Sequence, residues 1–550
     1  MTKGVAIAVL SFGAALAASA AEVTLETARI AAQAWMDGGH SLGKLRGRCA
    51  AQAETIEEGD ARMHVVRLEG GGFMVMGADD LVEPVIAFSA GDAPVEKDSE
   101  GPLPAILRAD LAERARAAAR RSASSGRTLL GASSASDSAE RTATQRRWDA
   151  LLAGNPGRRG LLASDGSNGL DEIPDVRVEP LVKSRWGQDS NSMYYGIGAQ
   201  CFNYYTPNNY ACGCVATAMA QIMRYHRYPA SATAKTFACN VDGSSVSKTM
   251  MGGTYDYDGM PLVPEAYEWC EWYEGGATEA ERQAIGKLTY DCAVAMRMEW
   301  GVYSDGSSYG SSYGGFAHDP LLNVFSYASA KSYIGNQNNG ISMSLVMQAV
   351  LPNLDAKCPV MLGVYGHEVL ADGYGYSDGT LYFHLNMGWS GWCDVWYALP
   401  DVIPNDQYES HVVTSFIYNI FPEATGDLLS GRVTFPDGSP NAGVVVRAYT
   451  TSRPQSLVAT ARTDSHGIYS LLISGASTYG TQYLVTASNR AEQASISVKL
   501  KPAVSPSSVN FETGSYSPGS GWKAMSVGNS WGNDFVLARP EPLPTVIRLR

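Results

Sequence analysis

Two cysteines one residue apart, Cys212 and Cys214, stand at the mouth of "YACGCVATAMAQIMRYHRYP", a run of small and apolar residues that ends at Pro229. The run reads as a helix opened by Cys214. The first N–H groups of a helix have no partner within it and carry the positive end of its dipole, which favours a thiolate there. That is the setting of a nucleophile. A nucleophilic cysteine needs a base for its proton, a group to orient the base, and donors for the oxyanion formed in acyl transfer. "PVMLGVYGHEVLADGYGY" reads as a strand that reaches Gly366 and His367, from which an imidazole can project across a cleft. "LYFHLNMGWSGW" supplies Asn386, whose amide can hold the imidazole by its second nitrogen, and Trp389, whose indole can shield that bond from water. "LVKSRWGQDS" offers Gln188, whose side-chain amide can join the Cys214 N–H as an oxyanion donor.

Other roles for these residues carry less. Cys212 and Cys214 with His226 also read as metal ligands, but zinc sites favour two pairs with two to four residues between partners, and no second pair is present. Cys212 reads as structural and His226 as a packed or surface histidine. His384 lies close to Asn386, and alternation would put the two on one face of a strand, so periodicity leaves it open as a base. "VGNSWGND", Val527 to Asp534, repeats an Asn-Ser-Trp-Gly pattern far beyond the other motifs and reads as a surface turn.

These groups must be positioned by elements of a chain of 550 residues, long enough for two or three cores. The start, "MTKGVAIAVLSFGAALAASAAEV", orders one lysine, an apolar run too short to span a bilayer, and an Ala-Ser-Ala exit. It is expected to be a secretory signal peptide (1–21) cleaved near Ala20 or Ala21, which makes the protein secreted: extracellular, on the cell surface or periplasmic. The 42 basic against 55 acidic residues give −13 and argue against nucleic acid and anionic membranes as partners. No transmembrane segment is expected. Nine cysteines in an exported chain invite disulfides, but the count is odd, so at least one thiol stays free or pairs between chains.

Along the chain, residues 22–98 alternate a helical pattern with strand-like runs, a small α+β unit. Residues 107–160 scatter Arg114, Arg116, Arg120, Arg121, Arg146, Arg147, Arg158 and Arg159 among Ala, Ser and Gly, the composition of a solvated, protease-sensitive connector, with one helix expected in "LPAILRADLAERARAAARR". Between Val178 and Pro422 the sequence is rich in Tyr, Trp and Gly and holds eight of the nine cysteines. After Pro422 short alternating runs punctuated by Asp437-Gly438 and Asp464-Ser465-His466-Gly467 predict roughly seven strands of an all-β unit.

"GCVATAMAQIMRYHRYP", "LTYDCAVAMRMEWG", the Gly/Ser loop "VYSDGSSYGSSYGG", "GHEVLADGYG" and "FHLNMGWSGW" resemble, in order, the streptopain family of secreted bacterial cysteine peptidases, a papain-like clan with inhibitory prosegments. "GGFMVMGADDLVEPVIAFSAG" resembles the family prosegment, while "GRVTFPDGSP" and "ARTDSHGIYSL" resemble carboxypeptidase regulatory-like β-sandwiches. The resemblance implies an α+β fold: a papain-like peptidase domain (161–422) behind an inhibitory prosegment with its Arg-rich linker (22–160), then a β-sandwich (423–500) and a β-rich tail (501–550). It implies Cys214 as nucleophile, His367 rather than His384 as its partner, Asn386 as orienter and Gln188 as oxyanion donor. Tyr303, Ser307, Gly366 and Trp389 would wall the substrate site. Met387 departs from the family, which has Trp directly after the orienting Asn. The expected activity is endopeptidase cleavage of proteins or peptides, without metal or cofactor, held back by the chain's own prosegment until a cut near Arg158-Arg159. The competing expectation is a catalytically silent, adhesin-like surface protein whose sandwich carries the function; acyl transfer to an acceptor other than water is a third.

Overall fold

The computed structural model describes residues 22–38, 42–91, 93, 95–99, 101–127, 135–153, 175–191, 199–264, 276–304, 307–335, 341–377, 379–399, 413–474, 481–500, 509–510, 515–516 and 528–540. The expected signal peptide, Arg158-Arg159, Cys270 and most of 501–550 lie outside them.

Thr24 caps the first helix, α1 (Leu25–Met36), accepting the Thr27 N–H at 3.2 Å, and Ala28, Ala31, Ala32, Trp35 and Met36 recur on one buried face. Strands β1 (Ala50–Glu58), β2 (Ala61–Leu68), β3 (Phe73–Gly77) and β4 (Val85–Ser89) follow as an antiparallel meander. The stretch expected to be a connector holds the one helix expected in it, α2 (Pro102–Arg127), and a second that was not expected, α3 (Ala135–Leu152). Leu103, Ile106, Leu107 and Leu111 fall at helical spacing and bury one side of α2; Trp148 of α3 is buried as well. Arg114 is not solvated. Its guanidinium donates to Asp110 at 3.0 Å, Glu83 at 2.5 Å and the Ala398 carbonyl at 2.5 Å, while Tyr397 Oη donates to Asp110 at 2.6 Å.

The central part opens with β5 (Asp175–Val178) and the helix α4 (Cys214–His226). Its Ala- and Met-rich surface is buried almost all round, from Val215 to Met223, as a helix must be when it runs through a core. Then come β6 (Ser231–Ala232), β7 (Thr236–Val241), β8 (Ser244–Thr249), β9 (Gly253–Thr254) and α5 (Glu279–Ala295), the last begun by a Thr278/Glu281 capping box. Next are β10 (Glu299–Val302), β11 (Ser308–Ser311), α6 (His318–Asn323), β12 (Ser329–Ile334) and α7 (Met343–Asp355). Strands β13 (Val360–Val364), β14 (His367–Ser377), β15 (Thr380–Asn386), β16 (Val395–Tyr397) and β17 (Val413–Phe421) complete the region.

The two parts share one sheet. β4 pairs with β16, Phe88 opposite Trp396 and Ala87 opposite Tyr397. The order is therefore β1-β2-β3-β4-β16-β15-β14-β13-β17-β12, with β5 also on β14. Beyond it, β18 (Asp427–Thr434), β19 (Val445–Thr450), β20 (Leu457–Arg462), β21 (Ile468–Ile473), β22 (Thr481–Ser488), β23 (Gln493–Leu500), and, past two short paired strands at 509–510 and 515–516, Phe535–Val536 build two sheets around a common core of Leu429, Val446, Tyr469, Val485 and Phe535. The "NSWG" stretch is not a surface turn. Asn529 is buried, accepts the Leu428 N–H at 2.8 Å and exchanges amide hydrogen bonds with Asn419 at 2.8 and 3.0 Å, because the edge of β18 and the end of β17 leave polar groups that only an amide can satisfy together. The eight described cysteines are all free thiols, so the disulfide expectation fails among them.

Candidate active site

Cys214 is the first residue of α4, and the turn that delivers it depends on glycine. Gly213 has φ +93°, and a Cβ there would lie 2.5 Å from the Gly310 carbonyl oxygen of β11. The entry loop is tied on both sides. Cys212 N–H donates to the Gln188 carbonyl at 2.7 Å, Thr217 Oγ1 to the Gly187 carbonyl at 2.9 Å, and Ala211 N–H to Ser308 Oγ at 3.1 Å. The Gln188 backbone is thereby fixed beside the nucleophile helix. Cys212 is fully buried against Thr217, and burial pushes its thiol up to about 12, which makes it inert beside its neighbour.

His367 begins β14, just after Gly366. Its Nε2 lies 2.8 Å from the Met387 carbonyl oxygen, which can only accept, so Nε2 carries a proton and Nδ1 is left for the cleft. Burial lowers the imidazole's pKa, against the Met387 carbonyl, which raises it. Burial likewise raises the Cys214 thiol, while the backbone N–H groups of Glu368, Val215 and Cys214 itself pull it down. Each charge alone is thus disfavoured. A thiolate and an imidazolium formed together by moving one proton from Sγ to Nδ1 offset each other's cost.

Cys214, His367, Gly366, Gln188, Tyr303 and Ser307 line one cleft of about 290 Å³, which Trp389 also walls. Seven of the eight residues singled out from sequence are brought together there. Asn386 is not. Its Oδ1 accepts from Gln221 Nε2 at 3.0 Å and from the Gly388 N–H at 3.1 Å, and its Nδ2 donates to the Ser184 carbonyl at 3.1 Å. The expectation that its amide grips the imidazole is corrected: the Met387 carbonyl does so, and Asn386 folds the 386–388 turn that presents it. Asn386 is buried opposite Leu370, three residues beyond His367 on β14, and its own hydrogen bonds are satisfied there. His384 is also outside the cleft, bonded through Nδ1 to Asp372 Oδ1 at 2.6 Å.

Sequence reasoning passed over Glu368. Its carboxyl is buried, its Oε1 has no hydrogen-bond partner, and it fits only because Gly314 lacks a side chain: a Cβ there would fall 1.9 Å from Oε2. Burial holds this acid well above the usual carboxylate range, with the negative charge of Cys214 adding to the effect. An acidic residue directly after the histidine, inside the apolar strand run, was the signal that could have found it.

The N-terminal part also reaches the cleft. Pro102 stands in its wall, and a Cβ at Gly101 would touch the Trp389 ring at 2.9 Å. Pro102 opens α2, so the helix held by the Arg114 cluster is anchored at the mouth of the site.

Residues 195–397 match the model of the Peptidase C10 family. The chain is similar to streptopain of Streptococcus pyogenes serotype M1, 28% identical over 251 residues, 41% of this chain and 58% of that protein. It is also similar to the thiol protease/hemagglutinin PrtT of Porphyromonas gingivalis, 26% identical over 184 residues, 32% of this chain and 19% of that one. A solved fragment of Prevotella intermedia prointerpain A aligns with TM-score 0.44 and 20% identity, covering 68% of this chain and 99% of the fragment. The chain thus spans under two thirds of the length of the streptopain it matches.

Proposed function

We propose, from the similarity to streptopain-type cysteine peptidases, that this chain is a secreted cysteine endopeptidase made as a zymogen. The observation that carries the reading is that Cys214, at the start of α4, and His367, with Nδ1 turned from the Met387 carbonyl, share a cleft whose wall includes Pro102 of the N-terminal part. In this reading His367 Nδ1 takes the Cys214 proton and the thiolate attacks a peptide carbonyl. The oxyanion collects donors from Gln188 Nε2 and the Cys214 N–H. His367 then protonates the leaving amine, leaving a thioester that water, deprotonated by the same imidazole, hydrolyses. Residues 22–160 act as the inhibitory prosegment, removed by a cut near Arg158-Arg159, after a signal peptide has taken the chain out of the cytoplasm. The regions 423–500 and 501–550 are a carboxypeptidase regulatory-like sandwich and its tail. Tyr303, Ser307, Gly366 and Trp389 contact the substrate.

The test is incubation of the proprotein, without residues 1–21, at neutral pH under mild reduction beside Cys214→Ala. The reading expects the first to lose the mass of its prosegment, label with iodoacetamide at Cys214 and degrade casein, and the variant to do none of these. A wild type that stays unlabelled and inert after added protease has removed residues 22–160 overturns it.

A further inference from the structure

Behind His367 lies a cluster of titratable groups that the mechanism above leaves unused. The Met387 carbonyl that accepts from His367 Nε2 belongs to a residue whose own N–H donates to Asp394 Oδ1 at 2.9 Å. Asp394 is electrostatically coupled to His384, which bonds through Nδ1 to the fully buried Asp372 Oδ1 at 2.6 Å; Asp372 Oδ2 accepts the Val182 N–H at 2.9 Å. The Trp396 ring packs edge-on against His384 at 5.4 Å. We propose that Asp394, braced by His384 and Asp372, is a positioning group for His367 that acts through Met387. The inference rests on the peptidase reading.

The physics is that of a hydrogen-bonded chain in a poorly solvated setting. An anion that accepts from Met387 N–H orients that residue's backbone and adds its field to the turn whose carbonyl meets the imidazole, and bonds in such chains strengthen one another. A stronger acceptor at Nε2–H favours the imidazolium that the Cys214 thiolate requires. The brace also explains why His384 is kept from the cleft: its Nδ1 is engaged by Asp372, and the Asp372 and Asp394 carboxyls raise its pKa against the burial that lowers it. The charged and titratable groups facing the cluster are Lys183 and the two carboxyls around His384, and Arg185, Cys393 and Asp372 around Asp394. Burial pushes Asp394 up to about 6, against the pull of His384. Near neutral pH it is an anion, and acidification removes the charge.

The test uses the matured enzyme as Asp394→Asn, which keeps an acceptor for Met387 N–H without the charge, and as His384→Gln. Hydrolysis of a chromogenic peptide and the pH dependence of Cys214 alkylation by iodoacetamide are measured with thermal stability. The expected result is a roughly tenfold loss of kcat, the equivalent of one charged hydrogen bond, with KM unchanged and the rise of alkylation with pH moved to higher pH, because a weakened imidazolium no longer supports the thiolate at low pH. Wild-type kcat and alkylation profiles in both variants overturn the proposal, as does a loss of stability with the onset of alkylation unmoved, which is ordinary structural support. If Asp394→Asn does not fold, His384→Gln decides by the same two outcomes. A wild type whose Cys214 alkylates well below the ordinary thiol range but which cleaves no peptide instead marks the failure of the peptidase reading.

Discussion

A carboxyl within electrostatic reach of the nucleophile has to stay protonated if a thiolate is to form near it, and the burial of Glu368 supplies that condition. The arrangement has a thermodynamic signature. Glu368 has its folded pKa raised, so the stability it contributes is complete below the ordinary value of 4.5 and is lost as pH rises through the folded value. Glu368→Gln removes that loss: thermal melts of the variant should fall less steeply than wild type above about pH 4.5. Superimposable melting profiles would mean that the carboxyl finds a partner or water in solution. This residue shows where sequence reading stops. Cys214 and His367 were legible because helix-start chemistry and a Gly-His strand turn are local. Asn386 was legible as a member of the constellation but not in its role, because the choice between gripping the imidazole and bonding Gln221, Ser184 and Gly388 is made by chain segments up to 202 residues away.

At the scale of elements, the helices and most strands could be read from apolar spacing, whereas the join between β4 and β16 could not. Its pairs, Phe88 with Trp396 and Ala87 with Tyr397, look like ordinary strand residues on either side. The same non-local logic hid Arg114: a composition rich in Arg, Ala and Ser averages away a stripe of Leu103, Ile106, Leu107 and Leu111 that places Asp110 and Arg114 against β16. Burial raises Asp110, and Arg114 opposes this. Removing only the cation leaves a buried carboxyl whose remaining partner is Tyr397 Oη, a cost of about 3–5 kcal/mol for such pairs. Arg114→Met is therefore expected to loosen α2 from the cleft mouth and to speed self-processing of the proprotein, followed on gels, with a lower melting temperature before maturation. Processing at the wild-type rate with unchanged melting would show that α2 is held by its apolar stripe alone.

Over the whole molecule, the region after β17 is fastened to the central one through polar groups as well as apolar contact. Lys331 pairs with Asp427 at 2.5 Å, Asn353 Nδ2 donates to Asn419 Oδ1 at 2.9 Å, and Asn529 reaches back across the junction to Asn419 and Leu428. Asn353 belongs to α7 and Asn419 to β17, so the asparagine cluster binds a helix, the last strand of the large sheet and the first strand of the sandwich in one network. Such a network raises stability only while each member is satisfied. Asn529→Ala strands the Leu428 N–H and one of the two Asn419 Nδ2 hydrogens in a buried site, the other remaining on the Gly426 carbonyl, each loss costing about 1–3 kcal/mol. The two regions should then cease to unfold together. Calorimetry of the full chain is expected to show the wild type melting in one transition and the variant in two, the lower one belonging to the C-terminal sheets, while peptide hydrolysis below that transition stays at the wild-type rate. A single unshifted transition in Asn529→Ala would assign the coupling to the α7 face packed on β18 and β21. Loss of hydrolysis at temperatures where both regions are folded would instead mean that strain at β17 travels through β13 to the strand that begins with His367.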